Sequence, residues 1–188
     1  MKVFDFDNTL YHGESAVDLA MYMIRHNRRI IRWVPYIFWN LLKYKLCLIS
    51  KSAMTRKVER FMRSCMPTRE ALYAHVRDFW KHNRHKLDAD MIRRVRPEDA
   101  IISAGPAFLL RPIQKRLGTS HLICSEVDIE RKKIIYLNFR DHKVRRYREK
   151  FGDTVLEAFY TDSYNDRAMM DIAERVYLVK KGQIRRIR

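Results

Sequence analysis

The sequence predicts an α/β protein built on a parallel sheet with helices on both of its faces. From residue 100 onwards, short apolar segments alternate with amphipathic ones, as strands and helices do along the chain of a parallel sheet. A separate apolar segment that resembles a strand, Val3–Phe6, stands near the first residue. Residues from about 14 to 94 show no strand alternation and predict helices instead. We therefore expect an α/β core of residues 1–12 and 95–188, interrupted by an all-helical insertion at residues 13–94, which we call the cap.

Turn and cap residues mark the limits of the core elements. Ala100–Ser103 is a short apolar strand, and Gly105-Pro106 begins a helix that Gly118 ends, because proline suits a first helical turn and glycine a helix end. Further strands are expected at 121–124, 159–161 and 176–179, with one arm of a hairpin at 133–137. Helices are expected at 143–151, before Gly152, and at 166–174.

The cap is expected to contain several amphipathic helices, since its apolar residues recur at spacings of three and four. Thr68 is a candidate N-cap for one of them. The apolar stretch 30–49 suggests a membrane span at first sight, but charged residues leave an uncharged run of only ten residues, Trp33–Leu42. A span needs roughly 20 apolar residues, so we expect a buried or interfacial helix.

The composition is that of a globular protein with a strongly basic surface. The chain has 188 residues, 39 of them Lys or Arg and 22 Asp or Glu, which gives a formal net charge of +17. Such a surface favours anionic partners, which include phosphorylated metabolites, nucleic acid and acidic membrane faces. Charge alone does not choose among them.

The cysteines favour a reducing compartment. Cys47, Cys65 and Cys124 are odd in number and form no CxxC pair. The first residues form a strand with acids instead of a basic and then apolar leader. We therefore expect a cytoplasmic protein.

Polar side chains follow several strands at the edge where open α/β sheets bind their ligands. Asp5 and Asp7 follow the first strand, Ser103 ends the second, and Asp162 follows the strand at 159–161. Lys143 begins a helix, and Asn165 and Asp166 lie in the loop after Asp162. Carboxylates, an ammonium group and a hydroxyl together suit Mg²⁺ and a phosphate group.

These residues form four motifs that resemble those of the haloacid dehalogenase-like (HAD) hydrolases. Asp5-Phe-Asp-Asn-Thr9 is similar to the first motif, DxDxT, and Ile101-Ile102-Ser103 to the second. Lys143 is the third-motif lysine, and Asp162-Ser-Tyr-Asn-Asp166 is similar to the fourth. The resemblance is strongest to the phosphoserine phosphatase-like branch, in which a helical cap lies between the first and second motifs. It implies a Rossmann-like core.

The resemblance also implies a role for each motif residue. Asp5 would be the nucleophile that forms an aspartyl-phosphate, and Asp7 the general acid and base. Mg²⁺ would be held by the Asp5 carboxylate, the Asp7 backbone carbonyl and Asp162. The phosphate group would be bound by Ser103, Ala104 and Lys143, while Asn165 and Asp166 would orient the lysine and the metal waters.

Some assignments stay open at this point. Arg140, Arg145 and Arg146 compete with Lys143 for the third-motif position. Glu14 lies where phosphoserine phosphatases carry a glutamate that contacts the substrate amine. Arg56 lies in the region of their carboxylate-binding arginine, although Lys57 and Arg60 compete with it. The second motif continues as Ser-Ala-Gly-Pro, where those enzymes commonly have consecutive glycines, so the resemblance does not extend to phosphoserine as substrate.

We therefore expect a Mg²⁺-dependent phosphomonoesterase that acts on a small phosphorylated metabolite. A second hypothesis is a phosphatase of lipid-linked or membrane-borne phosphates, with peripheral contact to an anionic membrane through the basic and aromatic segment 28–45. A third is a non-enzymatic module that binds polyanions. This third hypothesis leaves the aspartates of the first and fourth motifs unexplained. Nucleic acid is not an expected partner.

Overall fold

The computed structural model describes residues 1–46, 48–180 and 182–188, without the side chains of residues 28, 29, 41, 42, 44, 45 and 51. Its strands are β1 (Lys2–Phe4), β2 (Ala100–Pro106), β3 (His121–Asp128), β4 (Lys133–Tyr136), β5 (Ala158–Thr161), β6 (Arg175–Lys180) and β7 (Gln183–Arg186). They form one sheet of seven strands in the order β4-β3-β2-β1-β5-β6-β7 over the described residues.

The sheet is parallel at its centre and antiparallel at both edges. Strands β3, β2, β1, β5 and β6 pair in parallel, with Phe4 beside Ile101 on one side and beside Tyr160 on the other. The edge strands β4 and β7 pair antiparallel with β3 and β6. Because the chain runs from β2 outwards to β3 and then returns to β5 beyond β1, the carboxyl ends of β1, β2 and β5 lie side by side at the centre.

The α-helices before β2 are α1 (Ser15–His26), α2 (Val34–Lys45), α3 (Lys51–Cys65), α4 (Arg69–Asn83) and α5 (Ala89–Ile92). Those after β2 are α6 (Ala107–Leu110), α7 (Asp141–Phe151) and α8 (Arg167–Ile172). Four 3₁₀ helices in the described chain complete the set, at Arg28–Trp33, Arg84–Lys86, Arg111–Leu117 and Tyr164–Asp166. The helix expected after Gly105-Pro106 is thus short and continues as a 3₁₀ helix, where Pro112 lacks the N–H that an α-helix would use.

Two hydrophobic clusters cover the two faces of the sheet. Successive side chains of a strand point to opposite faces, so Phe4 and Ile101 enter one cluster while Val3 and Ile102 enter the other. The first cluster is completed by α4 and α6, and the second by α7 and α8. The expected α/β core with helices on both faces is therefore confirmed.

The inserted helices are joined to the core by two neighbouring chain segments. His12 N donates to Lys86 O (2.8 Å) and Asp88 N donates to Leu10 O (2.9 Å), so the outgoing and returning segments are hydrogen-bonded to each other. Helix α4 also packs on the core, since Trp80 Nε1 donates to Leu109 O at 2.7 Å. The division into core and cap stays a prediction, because this helix shares its apolar cluster with the sheet.

The ends of two helices and two of the cysteines are described by the structure. Thr68 Oγ1 accepts from Ala71 N, so it is the N-cap of α4, as expected. Gly118 has φ +80°, the left-handed conformation typical of a glycine after a helix. Cys65 and Cys124 are free thiols, while Cys47 lies outside the described residues. Among the described residues, no helix has the length and apolar character needed to cross a membrane.

Candidate active site

A buried lysine between two aspartates lies at the centre of the site. Lys143 Nζ is 2.9 Å from Asp5 Oδ1 and 2.7 Å from Asp166 Oδ2. Asp5 follows β1 directly, Asp166 lies in the 3₁₀ helix after β5, and Lys143 is in the first turn of α7. All three residues are buried. The structure therefore brings the first, third and fourth motifs together.

Charge and burial act against each other in this cluster. Burial raises the pKa of the Asp5 carboxyl to about 7, while the Lys143 ammonium opposes that rise. Burial alone would lower the pKa of Lys143, but the charges of Asp5 and Asp166 raise it above its ordinary value. Lys143 is therefore a fixed cation beside the Asp5 carboxylate.

The start of helix α1 holds the second aspartate. Asp7 Oδ1 accepts a hydrogen bond from Ser15 N at 2.7 Å, and Ser15 is the first residue of α1. Free N–H groups at a helix N-terminus stabilise an anion. Burial raises the pKa of Asp7, and the hydrogen bonds from Ser15 oppose the rise. The Asp7 carboxylate is thus fixed in orientation next to the loop that carries Asp5.

The C-terminal half of β2 comes close to Asp7. Ser103 is fully buried, and its Oγ accepts from Gly105 N at 2.9 Å. A Cβ at Gly105 would lie 3.1 Å from Ser103 Oγ and 3.9 Å from Asp7 Oδ2, which leaves little room for a side chain here. Ala104 O accepts from Ser125 Oγ at 2.7 Å, which joins the end of β2 to β3. The polar groups at the end of β2 therefore lie beside Asp7.

A network of acids and one amide forms the other side of the site. Asn8 Nδ2 donates to Glu14 Oε1 at 2.7 Å. Burial raises the pKa of Glu14, and the nearby charges of Asp7 and Asp162 raise it further. Burial also raises the pKa of Asp162; Asp166 adds to this rise, while Lys143 and the Asn8 side chain oppose it. Glu14 and Asp162 therefore both lie within electrostatic reach of the central cluster.

Two candidates from the sequence lie apart from this cluster. Arg56 lines a basic cavity between α2 and α3, together with Tyr36. Asn165 has an exposed side chain, and the hydrogen bond found for it among the described residues joins its backbone N to Ser163 Oγ. Among the described residues, neither makes a hydrogen bond or ion pair with Asp5 or Lys143, so their expected roles stay predictions.

The arginines that competed with Lys143 have other contacts. Arg145 pairs with Glu149 at 2.9 Å, and Arg146 pairs with Glu126 at 3.1 Å. Arg140 lies over the ring of Phe139. Lys143 is the member of this basic segment that contacts Asp5.

The oxygen atoms of the site suit Mg²⁺. No group of three His, Cys, Asp or Glu side chains in the described part of the chain has the arrangement of a metal cluster. An ion held by the carboxylates of Asp5 and Asp162 and the backbone carbonyl of Asp7 needs no such group, because backbone oxygen and water complete its coordination. Mg²⁺ prefers oxygen ligands and keeps several waters. The donor set expected from the sequence is therefore chemically suitable.

Three further residues, which were not identified from the sequence, shape the site. Asn8 has φ +55°, a left-handed conformation that asparagine tolerates better than most residues, and this directs the chain from Asp7 towards Glu14. Ser15 supplies the N–H for Asp7. Asn138 is buried and donates to Ser103 O at 2.9 Å. The signal for Asn8 was its residue type at a predicted turn; Ser15 and Asn138 act through contacts distant in sequence.

The profile of the haloacid dehalogenase-like hydrolase family matches residues 3–171, which include every residue of the cluster. The chain belongs to this family. The predicted family membership is thus confirmed, and with it the prediction that this HAD protein is an enzyme, a hydrolase. A comparison with curated proteins finds no match.

Solved structures share the fold at low sequence identity. A protein of unknown function from Bordetella pertussis Tohama I has a TM-score of 0.76 at 20% identity, with 94% of this chain and 87% of that chain covered. A phosphoserine phosphohydrolase-like protein from Francisella tularensis has a TM-score of 0.58 at 16% identity, with 94% and 86% covered. A HAD family hydrolase from Salmonella enterica serovar Typhi has a TM-score of 0.61 at 15% identity, with 91% and 58% covered.

Proposed function

We propose that this HAD protein is a Mg²⁺-dependent phosphomonoesterase that acts on a small phosphorylated metabolite through an aspartyl-phosphate at Asp5. The observation that carries the proposal is the buried Lys143 between Asp5 and Asp166, with Asp7 held beside them by the N-terminus of α1. A carboxylate next to a fixed cation, with a second acid nearby, is an arrangement suited to the displacement of an alcohol from phosphorus.

In the first step, an oxygen of Asp5 forms a bond to phosphorus and the bond from phosphorus to the substrate alcohol breaks. Asp7 gives its proton to the leaving alcohol oxygen. In the second step, Asp7 takes a proton from water, the water oxygen bonds to phosphorus, and the bond between Asp5 and phosphorus breaks to release phosphate. Lys143, Ser103 and Ala104 bind the phosphate oxygens throughout. Bound Mg²⁺ would neutralise phosphate charge so that one anion can approach another.

Glu14 supports a small polar substrate. Its carboxylate lies near Asp7 and Asp162, and Asn8 fixes it by a hydrogen bond of 2.7 Å. A fixed anion at this place repels a second anionic group on the substrate and attracts an amine or hydroxyl groups. The proposed substrate is therefore a phosphate ester whose alcohol part carries such groups.

The test is turnover of p-nitrophenyl phosphate by the parent and by Asp5→Asn, each with and without Mg²⁺. Asparagine is nearly isosteric but cannot act as the nucleophile, so we expect far more than a tenfold loss, since tenfold corresponds to only about 1.4 kcal/mol of barrier. Asp153→Asn, an exposed acid away from the site, is the control and should keep full activity. Activity of Asp5→Asn within tenfold of the parent would disprove the assignment. A panel of phosphorylated amino acids, sugars, nucleotides and lysophospholipids then identifies the substrate class.

A further inference from the structure

An apolar surface on the cap is exposed to solvent. Val34 and Phe38 lie four residues apart in α2 and so share a face, and Ile31 lies one turn earlier. Ile31, Val34, Phe38 and Trp39 are 49%, 44%, 66% and 56% exposed, and we call these four residues the apolar stripe. Single exposed apolar residues are common on proteins, but several exposed ones on neighbouring helical turns, Phe and Trp among them, are typical of an interaction surface.

A basic cavity lies between α2 and α3. It has a volume of about 310 Å³ and is lined by Tyr36 and Ala53 together with three cations, Arg56, Lys57 and Arg60, which we call the basic pocket. No acidic residue lines this pocket among the described residues. The neighbouring acid, Glu59, accepts a hydrogen bond from Ile134 N at 3.1 Å and so is engaged with β4. The pocket therefore presents positive charge that no carboxylate within it neutralises.

The basic pocket adjoins the apolar stripe at Trp39, because Tyr36 and Trp39 lie three residues apart in α2 and so are neighbours on its surface. One partner can therefore contact both. Lys57 Nζ lies 5.7 Å from the ring of Tyr36, and Lys43 Nζ lies 5.4 Å from that of Trp39. Cations beside aromatic and aliphatic side chains are typical of helices that lie in the interface of a membrane.

The chemistry of the two features selects among possible partners. A second copy of this chain, with net charge +17, would present the same cations and be repelled. Nucleic acid offers phosphates for the pocket but no aliphatic region for Ile31 and Val34. An anionic phospholipid bilayer offers both, phosphate groups at its surface and acyl chains directly beneath.

We propose that the cap docks on an anionic membrane surface, with the apolar stripe inserted at the acyl boundary and the basic pocket around a phospholipid phosphate. The inference does not depend on the proposed phosphatase reaction, because its test measures binding alone. It assigns Arg56, which lies apart from the aspartates, to a second anion site.

The experiment is cosedimentation of the full chain with vesicles of phosphatidylglycerol and phosphatidylcholine, and with phosphatidylcholine alone, at physiological ionic strength. One variant neutralises the pocket (Arg56→Gln, Lys57→Gln, Arg60→Gln), and its control removes equal charge from exposed positions on other elements (Lys115→Gln, Arg116→Gln, Arg185→Gln). A second variant changes the stripe (Phe38→Ser, Trp39→Ser), and its control changes two equally exposed apolar residues (Ile135→Ser, Val155→Ser). Thermal unfolding of each variant checks that it is folded.

We expect binding to the anionic vesicles and little binding to the neutral ones. A cation near an anionic surface contributes about fivefold in affinity, so neutralising the pocket should weaken binding by up to about a hundredfold. The stripe variant should weaken it at least about tenfold. Both controls should bind within about threefold of the parent, and millimolar inorganic phosphate should not displace the protein.

Three results would overturn the proposal. Absence of binding at physiological ionic strength would remove the membrane as partner. An equal loss in the charge control would show that net charge alone attracts the protein to the vesicles. Unchanged binding of the stripe variant, or displacement by inorganic phosphate, would show that the pocket binds soluble anions or an anionic macromolecule without insertion of the apolar side chains.

Discussion

Replacing Lys143 by Met should destabilise the protein strongly, and more at high pH than at low pH. Lys143 Nζ lies within 2.9 Å of Asp5 and 2.7 Å of Asp166, and all three groups are buried. Methionine has a similar volume but no charge, so two buried carboxylates lose their shared cation. Removal of one partner from a buried ion pair costs about 3–5 kcal/mol, and we expect a loss in this range at pH 8.

The pH dependence follows from the Asp5 carboxyl. Its pKa is raised to about 7 with the ammonium present, and without that cation it rises further. A raised carboxyl pKa means that the folded state holds a proton that the unfolded state has released, so stability falls as pH rises towards the folded-state pKa. Between pH 7 and 8, Asp5 of the parent is ionised while Asp5 of the variant stays protonated. Over this range the free energy of unfolding therefore falls only in the variant, by about 1.4 kcal/mol per pH unit. The destabilisation should therefore be smaller at pH 5 than at pH 8 by up to about 1.4 kcal/mol.

The assay is urea unfolding of parent and variant at pH 5 and pH 8, with EDTA present so that bound metal does not contribute. Arg145→Met is the matched control, because it removes an exposed cation of the same helix whose pair with Glu149 contributes about 0.3–0.5 kcal/mol. A Lys143→Met variant within 1 kcal/mol of the parent at pH 8 would refute the buried bridge. An equal loss at both pH values would refute the linkage to Asp5.

Three other substitutions test separate parts of the structure. Asp162→Ala should lower activity mainly by weakening Mg²⁺ binding. A higher Mg²⁺ concentration should then restore part of the activity. Unchanged Mg²⁺ affinity by calorimetry would exclude Asp162 as a ligand. Glu14→Gln should change the ranking of substrates more than turnover of p-nitrophenyl phosphate, and an unchanged ranking across the substrate panel would show that Glu14 does not select. Trp80→Phe should lower the free energy of unfolding in urea by about 1–3 kcal/mol, because the Leu109 carbonyl loses its buried donor. Trp39→Phe, at an exposed position, should leave the free energy of unfolding almost unchanged. Equal losses in the two variants would contradict this account.

The position of the aspartates could be predicted from sequence because it depends on strand order. Once Val3 and Phe4 are recognised as a strand, Asp5 must lie at its carboxyl end, where parallel strands place their ligands. The choice of Lys143 over the nearby arginines also had a local signal. Lys143, Tyr147 and Phe151 lie four residues apart, so they share the face of α7 that turns towards the sheet. Arg145 lies off that face and is exposed.

The strand β7 could not be predicted because its sequence lacks a buried face. Its residues Gln183–Arg186 carry two arginines and are mostly exposed, and β-propensity depends on packing against neighbours. The strand forms because β6 offers a free edge, to which Ile184 pairs beside Val179. Charged residues on such an edge also discourage pairing with another chain.

The surroundings of Arg56 also depend on packing that the sequence does not show, and its expected role in substrate binding stays a prediction. Its distance along the chain from Asp5 is fixed, but the direction of α3 depends on how α2 and α3 pack together. Arg56 lines a cavity with Tyr36 of α2, away from the aspartates. Spacing in sequence predicts a contact within one helix or strand, whereas a contact between inserted helices depends on their packing.

Tyr11 joins the inserted helices to the loop that carries Asp5 and Asp7. Its ring stacks on that of Phe6, the residue between Asp5 and Asp7 in the sequence. The same ring contacts Trp80 of α4 edge to face. Its hydroxyl donates to Asp18 of α1 at 2.6 Å, and Lys86 donates to the same carboxylate at 2.8 Å. The loop that carries Asp5 and Asp7 is therefore packed against the first and fourth inserted helices at once. A displacement of either helix would disturb the contacts of Tyr11, and Tyr11 lies four residues from Asp7, so the inserted helices help to position Asp5 and Asp7.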